Sequence, residues 1–384
     1  MKKICFITTV SITLQTFVLN TAQYIHENTD WDISFICSDD EAFSKSLPDY
    51  IHFYPVHMER GISVSGIRSM LQMVKIFRRE KFDLVQYSTA NAALYASLAS
   101  WIADVPVRLY CQWGMIFVAF QGLKRKIFKA VEKLICSLST RIEPDSESNL
   151  QFALEEKIYK REKADVIWNG SACGVNLDKF DISHKDCNRH EIREKHNISE
   201  NTYVYVFVGR ITRDKGIHEL FQAYREICRN DKNICLLMVG PDEVDDTVDR
   251  SIYEWARNEQ SIRFVGYSSE VEKYLAAADC YVLPSYREGF GMSVVEAEAM
   301  GIPVIVTDIP GPKNAMIPGK TGLAVSKANA EELEGAMRYL LANRGEGKEM
   351  GAEGHTFAVE KFEQNKLFEY ILEDRKHLLN IIGD

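Results

Sequence analysis

The sequence predicts an α/β protein built as two doubly wound domains, and three observations carry that reading. Short runs rich in β-branched and aromatic residues alternate with longer segments of helical spacing along most of the chain. At 384 residues the chain is long enough for two domains of ordinary size. In the second half, glycine-framed loops twice follow an apolar strand and open a helix, at 209–216 and at 289–291. Strands that alternate with helices argue for parallel sheets, whose ligands bind beyond the carboxyl ends of the strands.

Composition narrows the class. The chain is 46% hydrophobic and 26% charged, the balance of a soluble globular protein. A net charge of −9 argues against general nucleic-acid binding. Nine cysteines are scattered without a Cys-x-x-Cys pair, and several fall in apolar runs, so buried free thiols in a reducing compartment are expected. Met1-Lys2-Lys3 precedes an apolar stretch, but Thr8, Thr9, Ser11, Thr13, Gln15 and Thr16 interrupt it. A strand, a loop and a helix suit that pattern better than a signal peptide. No uncharged run of about 18 apolar residues appears, so no membrane span is expected.

In the first half, strands are expected at Lys3–Ile7, 33–37, Ile51–Pro55, Leu84–Tyr87 and 107–111, with short strands at 142–143 and 166–168. Helices are expected at 67–79, 92–102 and 118–138. Three loops then stand at strand ends: 8–13, which contains Thr9; 112–114, which begins with Gln112; and 145–148. Two helices are basic and amphipathic. Lys124, Arg125, Lys126, Lys129 and Lys133 interleave with Leu123, Ile127, Phe128, Val131 and Leu134. Arg68, Lys75, Arg78, Arg79 and Lys81 accompany Met70, Leu71, Val74 and Phe77. Such helices suit either an anionic membrane face or a core with a solvated charged side. Asp30-Trp31-Asp32 reads as a turn before a strand, and neither it nor Glu296-Ala297-Glu298 reads as a metal site.

In the second half, strands are expected at Tyr203–Val208, Ile234–Val239, 262–265, Cys280–Leu283 and Val304–Thr307, with a helix at 217–228 and helical spacing over 330–381. The polar stretch 181–200 reads as a linker. Arg210 and Lys215 sit in the first glycine-framed loop, where two fixed cations can neutralise a diphosphate. The second such loop reads Ser285-Tyr286-Arg287-Glu288-Gly289-Phe290-Gly291-Met292-Ser293-Val294-Val295-Glu296. Glycine lets backbone approach a ligand closely, and a helix N-terminus favours an anion. Glu288 and Glu296 flank seven residues; at ~1.5 Å rise per helical residue their carboxylates lie roughly 10 Å or more apart. That is too far to share a proton and suits gripping two hydroxyl-bearing ends of one ligand.

This Glu, seven residues, Glu pattern, with Gly-Phe-Gly after the first acid, resembles the donor motif of the retaining family-4 glycosyltransferases. Their fold, GT-B, implies two Rossmann-like doubly wound domains facing across a cleft. The resemblance implies an acceptor domain at 1–185, a donor domain at 186–365, and a C-terminal helix, about 366–384, packing back on the first. The segment 169–180 resembles the family's interdomain Asn-Gly-Val-Asp segment with residues inserted. Arg210 and Lys215 would carry the charge of the departing nucleotide, and Glu288 would hold the donor sugar. Glu296 would hold the ribose hydroxyls. Backbone at Gly209, Gly289, Phe290, Gly291, Met292 and Ser293 would face the diphosphate, and Val265 the nucleobase. Thr9 and Gln112 fall on the acceptor or sugar side. Many relatives carry His where Gln112 stands, and a neutral amide cannot serve as a general base.

The implied activity is metal- and cofactor-independent transfer of a hexose or N-acetylhexosamine from a UDP-sugar. The implied acceptor is a glycan, polyprenyl-diphosphate-linked, in surface polysaccharide assembly. The expected place is the cytoplasm, with peripheral contact on the inner face of the cell membrane. A UDP-sugar 2-epimerase of the same architecture, or a non-catalytic nucleotide-sugar-binding protein, is the alternative; only product analysis separates the first of these.

Overall fold

The computed structural model describes residues 1–59, 64–245 and 247–380. It divides into two compact units, Met1–Cys173 with the chain from Asn365 onward, and Gly174–Gln364. The first carries strands β1 Lys3–Ile7, β2 Asp32–Cys37, β3 Ile51–Pro55, β4 Leu84–Tyr87, β5 Val107–Gln112 and β6 Arg141–Pro144. Its helices are α1 Ser11–Phe17, α2 Leu19–Asn28, α3 Glu41–Ser46, α4 Val64–Glu80, α5 Ala90–Ile102, α6 Gly122–Leu138 and α7 Glu147–Glu155. The second carries β7 Tyr203–Val208, β8 Ile234–Val239, β9 Ile262–Gly266, β10 Cys280–Leu283, β11 Val304–Thr307 and β12 Gly322–Val325. Around these lie α8 Lys185–Lys195, α9 Ile217–Asn230, α10 Arg250–Asn258, α11 Val271–Ala277, α12 Met292–Ala299, α13 Ala330–Ala342 and α14 Arg344–Phe362. The last helix, α15 Gln364–Asn380, runs into the first unit.

Both sheets are parallel and share one topology. The first runs β3-β2-β1-β4-β5-β6 and the second β12-β11-β10-β7-β8-β9. In each the strand order reverses beside its first strand, between β1 and β4 and between β7 and β10. Loops leaving the carboxyl ends of those strands flank a crevice suited to a ligand. The central strands are buried on both faces, which is why they read as continuous apolar runs rather than alternating ones.

The helix α15 is held in the first unit by apolar contacts of Leu372 and Leu379 and by one buried charge cluster. Arg375 is fully buried, with Nη2 2.6 Å from a Glu143 carboxylate oxygen on β6 and hydrogen bonds to the Gln86 side-chain oxygen on β4. Breaking such a pair strands a charge away from water, at a cost of about 3–5 kcal/mol.

Several expectations are corrected. Residues 166–168 form no strand; the sheet edge is β6, touched by a single bridge from Ala164 to Ile142. The helix expected over 118–138 is broken: extended residues Phe120 and Gln121 separate a 3-10 turn at Ile116–Ala119 from α6, which starts at Gly122 with φ 57°. The polar stretch 181–200 is not a linker. It contains α8, whose Arg193 is fully buried and bonds Asp279 and several backbone carbonyls, so a polar composition conceals a docked helix. The second unit begins at Gly174 rather than near 185. Val175 exchanges backbone hydrogen bonds with Phe362 and Gln364, and Phe180 lies in the second core. The last four positions of the expected 366–384 helix lie outside the described residues. All nine cysteines are free; eight are buried, and Cys187 is exposed.

Candidate active site

The site assembles at the strand-order reversal of the second unit. Strand β7 delivers the loop with Arg210 and Lys215; the neighbouring β10 delivers the loop with Glu288. The two loops are joined at several points. Gly216 begins α9 in the left-handed region, at φ 73°, and a Cβ there would lie 1.9 Å from the carbonyl oxygen of Pro284. No other residue permits that approach. The Tyr286 N–H donates to the Asp214 carbonyl at 2.8 Å, and the Arg287 guanidinium lies 2.9 Å from the Asp214 carboxylate. The Tyr286 hydroxyl donates to the buried Glu219 on α9 at 2.6 Å.

At the centre of this junction the Lys215 ammonium donates to Glu288 Oε1 at 2.6 Å. The Ser285 hydroxyl donates to the same oxygen, also at 2.6 Å. Both charged side chains are mostly covered, 19% and 11% exposed, so this pair is less screened than a surface one. Arg210 differs: it is 41% exposed and contacts Glu243 at 3.1 Å.

Following Glu288, the chain turns into α12 through Gly291, at φ 88°, and no side chain caps that helix. The Phe290 ring is buried against Phe362, 5.1 Å between centroids, which leaves its backbone for any ligand contact. Ser293 accepts a hydrogen bond from the buried Tyr281 hydroxyl at 2.6 Å, and Met292 is half-buried against the core. Glu296, on α12, is half-buried. Burial pushes its carboxyl up to about 7; Lys179 offsets this in part and Glu272 adds to it. Val265 is half-buried near the end of β9, before Gly266 at φ 79°. Gly209 donates its N–H to the Val239 carbonyl, tying the β7 and β8 loops together.

In the first unit, Thr9 and Gln112 do not present free side chains. The Thr9 hydroxyl lies 2.8 Å from that of Thr89, fastening the β1 loop to the β4 loop at the reversal point. Gln112 is fully buried at the end of β5. Its amide donates to Glu132 of α6 and accepts from the Tyr159 hydroxyl at 3.0 Å. The sugar-side contact expected for it is therefore replaced by an internal one. Burial pushes the Glu132 carboxyl up to about 7, against the hydrogen bonds from Gln112 and Tyr110.

The structure thus brings Lys215 and Glu288 into contact, keeps Arg210 on the Lys215 loop, and has Gly289–Gly291 and α12 follow Glu288 directly. Sequence reasoning missed Ser285, Asp214, Glu219 and Glu243. Ser285 and Asp214 lie inside the two motifs and were legible as neighbours; Glu219 and Glu243 are fixed only by tertiary contact. Among the described residues no three or more His, Cys, Asp or Glu side chains cluster as a metal site requires.

Comparison with known proteins places the chain among glycosyltransferases. The family model for glycosyl transferases group 1 matches residues 188–357, and that for glycosyl transferase 4-like proteins matches residues 3–146. Over 340 residues the chain is 28% identical to the capsular polysaccharide biosynthesis glycosyltransferase CapM of Staphylococcus aureus, covering 88% of each. It is 25% identical over 293 residues to the UDP-Gal:alpha-D-GlcNAc-diphosphoundecaprenol alpha-1,3-galactosyltransferase of Escherichia coli, covering 74% of this chain and 73% of that one. Its fold resembles that of HepE from Anabaena, solved in complex with UDP and glucose. The TM-score is 0.78 at 16% identity, over 98% of this chain and 100% of that one. Fold and matches together define a glycosyltransferase of the GT-B class. More narrowly, the chain belongs to the family-4 glycosyltransferases.

Proposed function

We propose that this enzyme is a retaining glycosyltransferase that moves a hexose or N-acetylhexosamine from a UDP-sugar to a polyprenyl-diphosphate-linked glycan in surface polysaccharide assembly. One observation supports the donor side above others: the covered Lys215–Glu288 contact at the strand-order reversal, with Arg210 on the same loop. A cation and an acid held so close, at a glycine-framed helix start, suit a sugar joined to a diphosphate. The donor and acceptor in the name of the Escherichia coli relative, UDP-galactose and a diphosphoundecaprenol-linked sugar, support the substrate classes.

In this mechanism the bond between the sugar C1 and the β-phosphate oxygen breaks. The acceptor oxygen bonds to C1 on the same face, and its proton passes to the departing phosphate oxygen. Arg210, Lys215 and the loop amides stabilise the charge that develops on UDP. Glu288 orients the sugar hydroxyls, and Glu296 accepts hydrogen bonds from the ribose. No protein nucleophile is invoked. The resident charges need no metal or cofactor in this scheme.

The acceptor's lipid tail calls for a membrane surface. Helices α4, α5 and α6 pack side by side. Leu123, Ile127 and Leu134 of α6, Ile67 and Leu71 of α4, and Trp101 of α5 are exposed there. Arg125 and Lys129 are paired with Glu156, while Lys124, Lys126 and Lys133 remain exposed beside the apolar residues. Apolar side chains interleaved with cations suit the interface of an anionic bilayer. Among the described residues no helix is long and apolar enough to cross a membrane.

Three outcomes are expected. Arg210→Ala should lower turnover about 10²–10³-fold, read by mass spectrometry with a panel of UDP-sugars and lipid-linked acceptors; unchanged turnover would remove its role. Binding of a UDP-sugar, whose diphosphate does not titrate near neutrality, should be about tenfold weaker at pH 6 than at pH 8 as Glu296 gains its proton. Glu296→Gln should flatten that profile, and a profile that persists in the variant would contradict the ribose role. Wild-type protein should sediment with vesicles containing phosphatidylglycerol but not with neutral ones. Replacing both Lys124 and Lys126 by Gln should weaken that binding about tenfold; equal binding by wild type and variant would count against this face.

A further inference from the structure

The two cations of the donor site are held in different ways. Lys215 is covered and shares Glu288 with Ser285. Among the described residues Arg210 makes one ion-pair contact, from Nη1 to Glu243 Oε2 at 3.1 Å, and both side chains are about two-fifths exposed. An exposed, single-contact ion pair is weak and open to exchange. Its geometry is nevertheless built rather than incidental. Beyond the ends of β7 and β8 the two chains stay joined: Ile211 N–H donates to the Pro241 carbonyl at 2.9 Å, and Glu243 N–H donates to the Ile211 carbonyl at 3.2 Å. Gly240 permits this, because a Cβ there would lie 1.9 Å from the Gly209 carbonyl oxygen. Residues 210 and 243 are therefore fixed within reach of each other by backbone.

The neighbouring acids are engaged elsewhere. Asp242 accepts from the Tyr253 hydroxyl and lies 3.8 Å from Arg257. Asp245 bonds the backbone and hydroxyl of Thr247. Asp214 bonds Thr212 and Arg287, although Arg210 is near enough to favour its ionised form. Among the described residues Glu243 is the carboxylate that Arg210 touches.

We propose that Glu243 is an internal competitor for Arg210, holding the guanidinium when the donor site is empty and yielding it to the diphosphate when a nucleotide binds. This deepens the donor-site reading above and rests on it. A phosphate offers Arg210 a more highly charged, bidentate partner than one carboxylate oxygen, so the donor wins the exchange. Glu243 lowers nucleotide affinity by the free energy of the contact it gives up. After transfer it recaptures Arg210 and so speeds departure of UDP. Glu243 is a positioning residue on this account and does not touch the reacting atoms.

Calorimetric titration of UDP into wild type, Glu243→Gln, Arg210→Ala and the double variant tests this, with Asp245→Asn as a control for simple loss of negative charge. Glu243→Gln should bind UDP about fivefold more tightly, near the upper end for an exposed ion pair. That gain should vanish in the Arg210→Ala background, and Asp245→Asn should bind like wild type. No gain in Glu243→Gln, a gain that survives without Arg210, or an equal gain in Asp245→Asn would overturn the proposal. Failure of wild type to bind UDP would overturn the donor-site reading itself. UDP binding that is weakened by Arg210→Ala but unchanged by Glu243→Gln would sink the Glu243 assignment alone.

Discussion

The contact between Lys215 and Glu288 is the constraint on which the proposed donor site depends. It joins loops from two strands that neighbour in space but lie far apart in sequence. Because the pair is largely covered, neither charge is satisfied without the other, and losing one partner leaves the second poorly solvated. Ser285 adds a hydrogen bond to the same carboxylate oxygen, and the Asp214–Tyr286 backbone bond fixes the distance between the loops. In the proposed mechanism this holds the acid assigned to the sugar and the cation assigned to the diphosphate in fixed relation, the kind of arrangement that stabilises developing charge without reorganising.

Glycine makes this closeness possible at two places with different consequences. At Gly216 a side chain would collide with the Pro284 carbonyl, so that glycine fixes the separation of the β7 and β10 loops. At Gly240 a side chain would collide with the Gly209 carbonyl, so that glycine fixes the β7 and β8 loops and with them the Arg210–Glu243 contact. One cation is thereby locked and the other left exchangeable. A locked cation suits orientation of the sugar; an exchangeable one suits a nucleotide that must also leave.

Much of this was legible in the sequence, for identifiable reasons. Parallel central strands such as Tyr203–Val208 and Cys280–Leu283 are buried on both faces, so they stand out as unbroken apolar runs. The donor motif is local: Glu288, Gly291 and Glu296 lie within one loop and one helix, and their spacing survives in the chain order. What escaped is held by tertiary contact. α8 looked like a linker because its buried Arg193 is polar, and the Asp279 carboxylate and the Ala277 carbonyl, both distant in sequence, help to explain its burial. Gln112 looked like a strand-end group open to a ligand, whereas Glu132 and Tyr159 take both ends of its amide. A strand end in the sequence says where the backbone stops, not which way the last side chain points.

A double-mutant cycle on Lys215→Met and Glu288→Gln, read as affinity for a UDP-sugar, tests the organising role of this pair most directly. If the two act as one unit, their coupling should exceed about 1 kcal/mol, in the range found for contacting residues. Losses that add to within about 0.5 kcal/mol, as for distant independent sites, would contradict it.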